Sequence, residues 1–226
     1  MKTTYYGHSC FGVQVDSTHL LFDPFITHNE LAKKIHIEEI RADYILISHG
    51  HADHLADAAA IALRTGATII ANYEITQWYA KQGLTKSIPM NHGGTARLDF
   101  GRVKFVNAIH SSSLPDGTYG GNPGGFVVET PRGNFYYSGD TALTMDMKLI
   151  GETAPLTFAA LCLGDTFTMG PEDAARAAEF VRCKVVLGLH FDTFPPIRID
   201  HEEAVNLFSK SGINLHLLKP GEFRDF

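Results

Sequence analysis

The chain has 226 residues, of which 44% are hydrophobic and 19% are charged, and its formal net charge is −6 with histidine neutral. This length suffices for a large core, and we predict one domain over residues 1–226. The acidic balance and the absence of a basic run argue against nucleic-acid binding, which depends on clustered Lys and Arg. No stretch reaches the ~20 apolar residues of a membrane-spanning helix, and the N-terminus lacks the apolar run of a signal peptide. We therefore expect a cytoplasmic protein with no membrane partner.

Short runs rich in Val, Ile, Phe and Tyr recur along the chain and predict β-strands. The early runs have few helical segments between them, which favours antiparallel hairpins, whereas the later part alternates strands and helices. Such a pattern is typical of sheets covered by outer helices, an α/β sandwich. The predicted strands are 3–7, 10–15, 19–23, 43–48, 67–71, 103–109, 125–129, 134–138, 157–163, 184–189 and 214–218.

Four segments predict helices. The first covers 54–65 and the second 73–82, and each ends before a glycine, which is a common helix terminator. The third begins at Pro171, because proline is favoured at the first helical position. The fourth begins near Asp200, with Glu203 at the spacing of a capping box.

The three cysteines are Cys10, Cys162 and Cys183. They are odd in number, widely spaced and inside apolar segments, which argues against a disulfide framework. We predict that they are small core residues.

The stretch ILISHGHADHLAD, residues 45–57, places four ligand-type side chains directly after a predicted strand. His49 and His51 are two residues apart, so in extended backbone they point the same way. Asp53 and His54 lie at the start of the predicted helix and can face the same space from another side. One such segment can supply a pair of ligands to each of two metal ions.

Other predicted strands also end in ligand-type residues, namely His110, Asp140, Asp165 and His190. Because open α/β sheets bind ligands at the carboxyl ends of their strands, these side chains could meet at one edge. His110 and His190 would each add a ligand, and Asp140 could bridge both ions. Seven ligands leave positions for water and substrate, as in a catalytic site. Histidine-rich ligation without thiolates suits Zn²⁺, with Mn²⁺ or Fe²⁺ as alternatives.

Three further residues are candidates for contacts around the metals or the substrate. His8 could approach the site from the N-terminal strands, or it could be a hydrogen-bonded core histidine. Asp165 and Thr168 could hydrogen-bond the metal-ligating imidazoles, or they could cap the helix that begins at Pro171.

The motif HGHADH resembles the HxHxDH signature of the metallo-β-lactamase superfamily, and His110, Asp140 and His190 follow in the order of that family's single-residue motifs. The segments YGHSCF, YYSGDT and LHFDTFPPI look like those of small metal-dependent hydrolases related to ascorbate-6-phosphate lactonase. This resemblance implies a four-layer αββα sandwich with a dinuclear site, usually zinc. It also implies that Asp53 is catalytic, binding one metal while orienting or deprotonating the attacking water.

We therefore expect a hydrolase in which a hydroxide held by two divalent ions cleaves an ester, lactone, amide or phosphoester in a small molecule. A homo-oligomer is compatible with the sequence. One alternative is a metal-dependent sensor or binding protein with the same fold and little turnover. Another is an amidohydrolase barrel, whose site also contains an HxH pair, but the eight regular strand–helix units of that barrel are not evident.

Overall fold

The first of two β-sheets is built mainly from the N-terminal part of the chain. A computed structural model describes residues 1–153 and 155–226. Three antiparallel strand pairs are followed across this sheet by three parallel pairs. Its strands, in spatial order, are β14 (Phe223–Asp225), β1 (Lys2–Gly7), β2 (Cys10–Val15), β3 (Thr18–Phe22), β4 (Tyr44–Leu46), β5 (Thr68–Asn72) and β6 (Ser87–Met90).

The second sheet repeats this arrangement of three antiparallel pairs and then three parallel pairs. The two sheets therefore share one pattern of strand pairing, although no sequence repeat is evident. Its strands, in spatial order, are β7 (Thr95–Leu98), β8 (Gly101–Asn107), β9 (Gly124–Thr130), β10 (Gly133–Tyr137), β11 (Phe158–Cys162), β12 (Val185–Leu189) and β13 (Asn214–His216).

Alternation along the strands creates one core between the sheets and two cores outside them. In β4, Leu46 packs between the sheets, whereas Ile45 packs against the helices outside the first sheet. In β11, Phe158 packs between the sheets and Ala159 faces the opposite helical layer. Successive strand side chains point to opposite faces, so strands buried on both sides read as continuous apolar runs.

Helices cover both outer faces, and the predicted four-layer αββα sandwich is confirmed. Two helices begin with a side-chain cap. The Asn72 side chain accepts from the amide of Ile75, and the Asp200 side chain accepts from the amide of Glu203. The helices of the first sheet are α1 (Ala52–Leu55), α2 (Ala58–Thr65) and α3 (Tyr73–Ala80), and those of the second are α4 (Met147–Thr153), α5 (Pro171–Phe180) and α6 (His201–Lys210). Short 3₁₀ turns occupy Glu30–Ala32, Ile37–Glu39 and Pro195–Ile197.

The predicted helix over 54–65 is wrong in one respect, because the structure divides it into α1 and α2. Asp57 lies at the break, and its carboxylate accepts from the amides of Ile26 at 2.6 Å and Thr27 at 2.9 Å. The side chain thus holds the loop after β3 against the helical layer. A polar tertiary contact of this kind is not visible in helical periodicity.

Besides the 3₁₀ turns, three strands and one α-helix were not predicted, namely β6, β7, β14 and α4. Three of them are short strands at sheet edges, where the hydrophobic pattern is weak. Helix α4 contains Gly151, which lowers helix propensity. A Cβ at that position would lie 2.5 Å from the carbonyl oxygen of Phe180, so the glycine is needed where α4 approaches α5.

All three cysteines are buried and free, as predicted. Among residues 1–153 and 155–226, the longest helices have ten residues, and none is both long and apolar enough to cross a bilayer.

Candidate metal centre

The seven predicted ligands meet at one edge of the sandwich, where strands of both sheets end. His49 follows β4, whereas His110, Asp140 and His190 follow β8, β10 and β12 of the other sheet. Gly139 precedes Asp140 with φ of +60°, and a Cβ there would lie 2.5 Å from a neighbouring carbonyl oxygen. Glycine at this turn therefore allows the chain to place the carboxylate at the edge.

Three imidazoles form a first set of potential ligands, which we call the three-histidine group. It consists of His49, His51 and His110, whose ligand atoms lie within 4.8 Å of one another. His49 Nε2 is 2.9 Å from His51 Nδ1, and the His110 ring centroid is 5.1 Å from each of the other two. Burial and the nearby His54 lower the pKa of His49 well below its ordinary value. Neutral imidazoles are the form that binds metal.

A second set, the carboxylate group, comprises His8, Asp53, His54 and His190. Its ligand atoms also lie within 4.8 Å of one another. His54 and His190 are buried, and Asp53 is partly exposed. Of the HxHxDH segment, His49 and His51 thus lie in the first group, and Asp53 and His54 lie in the second.

Asp140 lies between the two groups. Its Oδ2 is 2.9 Å from His190 Nε2, 3.2 Å from His54 Nε2 and 3.7 Å from His110 Nε2. The other carboxylate oxygen, Oδ1, is buried and has no hydrogen-bond partner within the described residues, and His54 Nε2 makes no well-oriented hydrogen bond there either. Buried polar atoms normally have partners. These unsatisfied atoms fit a site that binds metal ions.

The carboxylates of the site are ionised in spite of burial. Burial opposes the charge of Asp140, but the neighbouring His190 and His54 hold its pKa well below the usual range. Burial likewise opposes the charge of Asp53, but a hydrogen bond from His8 and the charge of His54 lower its pKa strongly. Burial disfavours protonation of His54, yet Asp140 and Asp23 raise its pKa well above normal. In the metal-free protein, a proton on His54 thus partly balances the negative charge of Asp140 and Asp23. A bound metal cation can balance that charge instead.

Asp23 is a site residue that our sequence reasoning missed. It is fully buried after β3, and its carboxylate accepts from the amide of Ser48 at 2.8 Å, from the Ser48 hydroxyl and from the Tyr137 hydroxyl at 2.6 Å. The same carboxylate lies 2.7 Å from His54 Nδ1. Because His54 Nδ1 is held in this way, Nε2 is left to face the metal site. The available signal was an aspartate at a strand end, in the letters LFDPF.

His8 joins the site from the turn between β1 and β2. Its Nε2 is 3.2 Å from Asp53 Oδ2, and its Nδ1 is 3.0 Å from the hydroxyl of Thr193. Burial, reinforced by the charge of His190, lowers the pKa of His8 to about 4. Neutral His8 therefore donates from Nε2 to ionised Asp53 and accepts from Thr193. Of the two interpretations above, the geometry favours a role beside the metal ligands.

Asp165 and Thr168 are not brought to the imidazoles. Asp165 is exposed, and the Thr168 hydroxyl donates to the carbonyl of Met169 at 3.2 Å. Helix α5 is capped by Gly170 without a side-chain hydrogen bond, so the capping alternative is not observed either. The loop is instead held by its backbone, since the Met169 amide donates to Thr141 O at 2.9 Å. Within the described chain, both expected hydrogen-bonding roles are therefore absent.

Comparison with known proteins identifies the family of the chain. A family model for the beta-lactamase superfamily domain matches residues 18–191. A protein of Methylacidiphilum infernorum named UPF0173 metal-dependent hydrolase is 55% identical over 222 residues, covering 98% of each chain. A Thermus thermophilus protein of the same description is 46% identical, covering 98% of this chain and 97% of that protein.

A solved structure agrees with these sequence relatives. Igni18, described as a metallo hydrolase from the archaeon Ignicoccus hospitalis, is 35% identical and superposes with a TM-score of 0.89, covering 99% of this chain and 97% of that one. The narrower likeness to ascorbate-6-phosphate lactonase stays a prediction. From the matched domain, the ligand-rich edge and these relatives, we conclude that the chain belongs to the beta-lactamase superfamily and is a metal-dependent hydrolase.

Proposed function

We propose that this hydrolase binds two divalent metal ions and cleaves an ester, lactone, amide or phosphoester bond in a small molecule. The three-histidine group would hold one ion, and Asp53, His54 and His190 would hold the other. The observation that carries the proposal is the position of Asp140, whose Oδ2 lies 2.9–3.7 Å from imidazole nitrogens of both groups. The donor set, rich in histidine and free of thiolate, favours zinc, with manganese or iron as alternatives.

The two ions would supply Lewis acidity and lower the pKa of a water molecule towards neutrality. Asp53 is ionised, and His8 holds one of its carboxylate oxygens through the 3.2 Å contact. This orientation leaves the other oxygen free to bind metal or to accept a proton from the attacking water. The ionised carboxylate of Asp53 only accepts, so it selects the His8 tautomer with the proton on Nε2, and the Thr193 hydroxyl can donate to His8 Nδ1.

A small-molecule substrate and a cytoplasmic location are part of this proposal. The net charge of −6 supports the absence of a nucleic-acid partner, since no basic run is present to neutralise phosphates.

The proposal is tested by stripping the protein with a chelator and restoring zinc, manganese or iron separately. We expect two equivalents of metal per chain and hydrolysis of at least one class in a panel of chromogenic esters, lactones, anilides and phosphodiesters. Full activity of the stripped protein would contradict the proposal. Two bound metals without turnover on the panel would favour a binding function instead.

A further inference from the structure

An apolar surface lies directly beside the carboxylate group. Phe194 is 36% exposed, and its ring centroid is 5.5 Å from that of His8. Beneath it, Phe25 is only 6% exposed, with its centroid 6.4 Å from Phe194. Because His8 also contacts Asp53, this aromatic pair borders the place where a substrate would meet the site.

A loop that is hydrogen-bonded to the segment after Phe194 carries Phe167, which is 56% exposed. The loop is fixed at both ends. The Thr166 hydroxyl donates to Pro196 O at 2.9 Å, next to Phe194, and the Met169 amide donates to Thr141 O at 2.9 Å, next to Asp140. Phe167 therefore lies on a loop that is hydrogen-bonded both to the segment after Asp140 and to the segment after Phe194.

On the side of the three-histidine group, Ile109 is 53% exposed and immediately precedes His110. Its amide donates to the Thr141 hydroxyl at 2.9 Å, and its carbonyl accepts from the Ala142 amide at 3.1 Å. Large apolar side chains are thus exposed on loops next to both ligand groups. Grouped exposure of this kind marks a binding surface more often than scattered single residues do.

Basic side chains are missing from the same loops. The first cation after Phe194 along the chain is Arg198, four residues further on. An anionic substrate arm would therefore find no charge partner among these segments apart from the metals, whereas an apolar arm would find surface to cover. The site segments considered, none of which contains Lys or Arg, are 8–9, 23–25, 49–54, 109–113, 140–142, 164–168 and 190–194.

We propose that the substrate carries an uncharged apolar arm, alkyl or aryl, which packs against Phe194, supported from beneath by Phe25, with Phe167 and Ile109 at its border. The inference rests on the proposed metal centre, since the arm is placed relative to the bond that the metals would polarise. It assigns Phe194 and Phe167 a role in specificity.

Metal-binding hydroxamates test this without requiring turnover. We would titrate zinc-loaded protein by calorimetry with acetohydroxamic acid, octanohydroxamic acid and suberic acid monohydroxamate, which share the metal-binding head. Octanohydroxamate should bind at least about 10-fold more tightly than acetohydroxamate, because its alkyl chain buries apolar surface. The anionic suberic compound, of similar length, should gain less than about 3-fold over acetohydroxamate.

Variants then locate the arm. The double variant Phe194→Ser, Phe167→Ser should reduce the ratio of octanohydroxamate affinity to acetohydroxamate affinity to below about 3-fold. Leu63→Ser is the control, because Leu63 is 72% exposed on α2 and belongs to none of the site loops.

The outcomes separate the two proposals. Zinc uptake with equal binding of short and long hydroxamates, or tighter binding of the anionic one, would overturn the apolar arm alone. Failure to take up zinc, manganese or iron would overturn the metal centre and this inference together, whereas a metal-loaded protein that bound no hydroxamate would overturn this inference alone.

Discussion

The two ligand groups differ in how the rest of the protein supports them. In the three-histidine group, His51 and His110 are partly exposed, and the exposed Ser111 hydroxyl lies 3.3 Å from His51 Nε2. In the carboxylate group, buried His54 is held by Asp23, while His8 holds Asp53. The three-histidine group thus has an open side formed by His51 and His110, whereas the carboxylate group is a charged set held by Asp23 and His8. Buried His49 shares the support of Asp23, since its Nδ1 lies 2.9 Å from the Ser48 hydroxyl that donates to that carboxylate.

The largest effect is expected where the two groups meet. Asp140→Ala removes the carboxylate between them, so metal content should fall below two equivalents and activity should drop by on the order of 10³-fold. Elemental analysis and steady-state rates measure both. Asp173→Ala is the matched control, since Asp173 is an exposed carboxylate on α5 paired with Arg176. Wild-type metal content in Asp140→Ala would show that the groups do not share this residue.

Variants of single histidines should separate the two groups. His51→Ala should lose one metal and keep the fold, because the side chain is partly exposed. His190→Ala should lose the other metal and also lower the free energy of unfolding, since this side chain is 3% exposed. Activity should fall about 10²-fold or more in each. Loss of both metals from either variant would mean that the groups fill only together.

The support behind His54 can be weakened without touching a ligand. Asp23→Asn should reduce metal affinity by about 10- to 100-fold, because the amide holds His54 Nδ1 less strongly than a carboxylate does. Competition with a chromogenic chelator measures the change. Asp43→Asn is a suitable control, since Asp43 pairs with His19 at 3.3 Å on the exposed surface. Equal affinities of the two variants would contradict the proposed role of Asp23.

The smallest effect concerns pH. The pKa of His8 is lowered to about 4, so below pH 6.5 the unfolded chain binds a proton that folded His8 does not. Its contribution to stability is therefore complete above pH 6.5 and is lost as the pH falls towards 4, by roughly 3 kcal/mol. Urea unfolding of metal-free protein should show a steeper loss over this range for wild type than for His8→Gln. Parallel curves would indicate that His8 is not held neutral.

Much of the architecture was predictable from the sequence because both sheets are buried on their two faces. Strands such as β4 and β11 read as short, uninterrupted apolar runs, and helix α6 begins with a recognisable cap. Three of the four edge strands, β6, β7 and β14, were missed, since most of their side chains are partly or fully exposed and carry no strong pattern. The break at Asp57 was missed because its cause is a hydrogen bond to the distant Ile26.

The sequence by itself determined which ligand-type side chains are available and that four of them are adjacent, because HxHxDH fixes spacing along a strand-to-helix turn. Tertiary structure alone decided that Asp140 lies between the two groups, since its contact with His54 exists only when the two sheets pack together. It also decided the roles of Asp23, Thr193 and Phe194, whose contacts join residues far apart in the chain. Local spacing can predict neighbours on one turn, but hydrogen bonds between separate strand ends exist only in the folded chain.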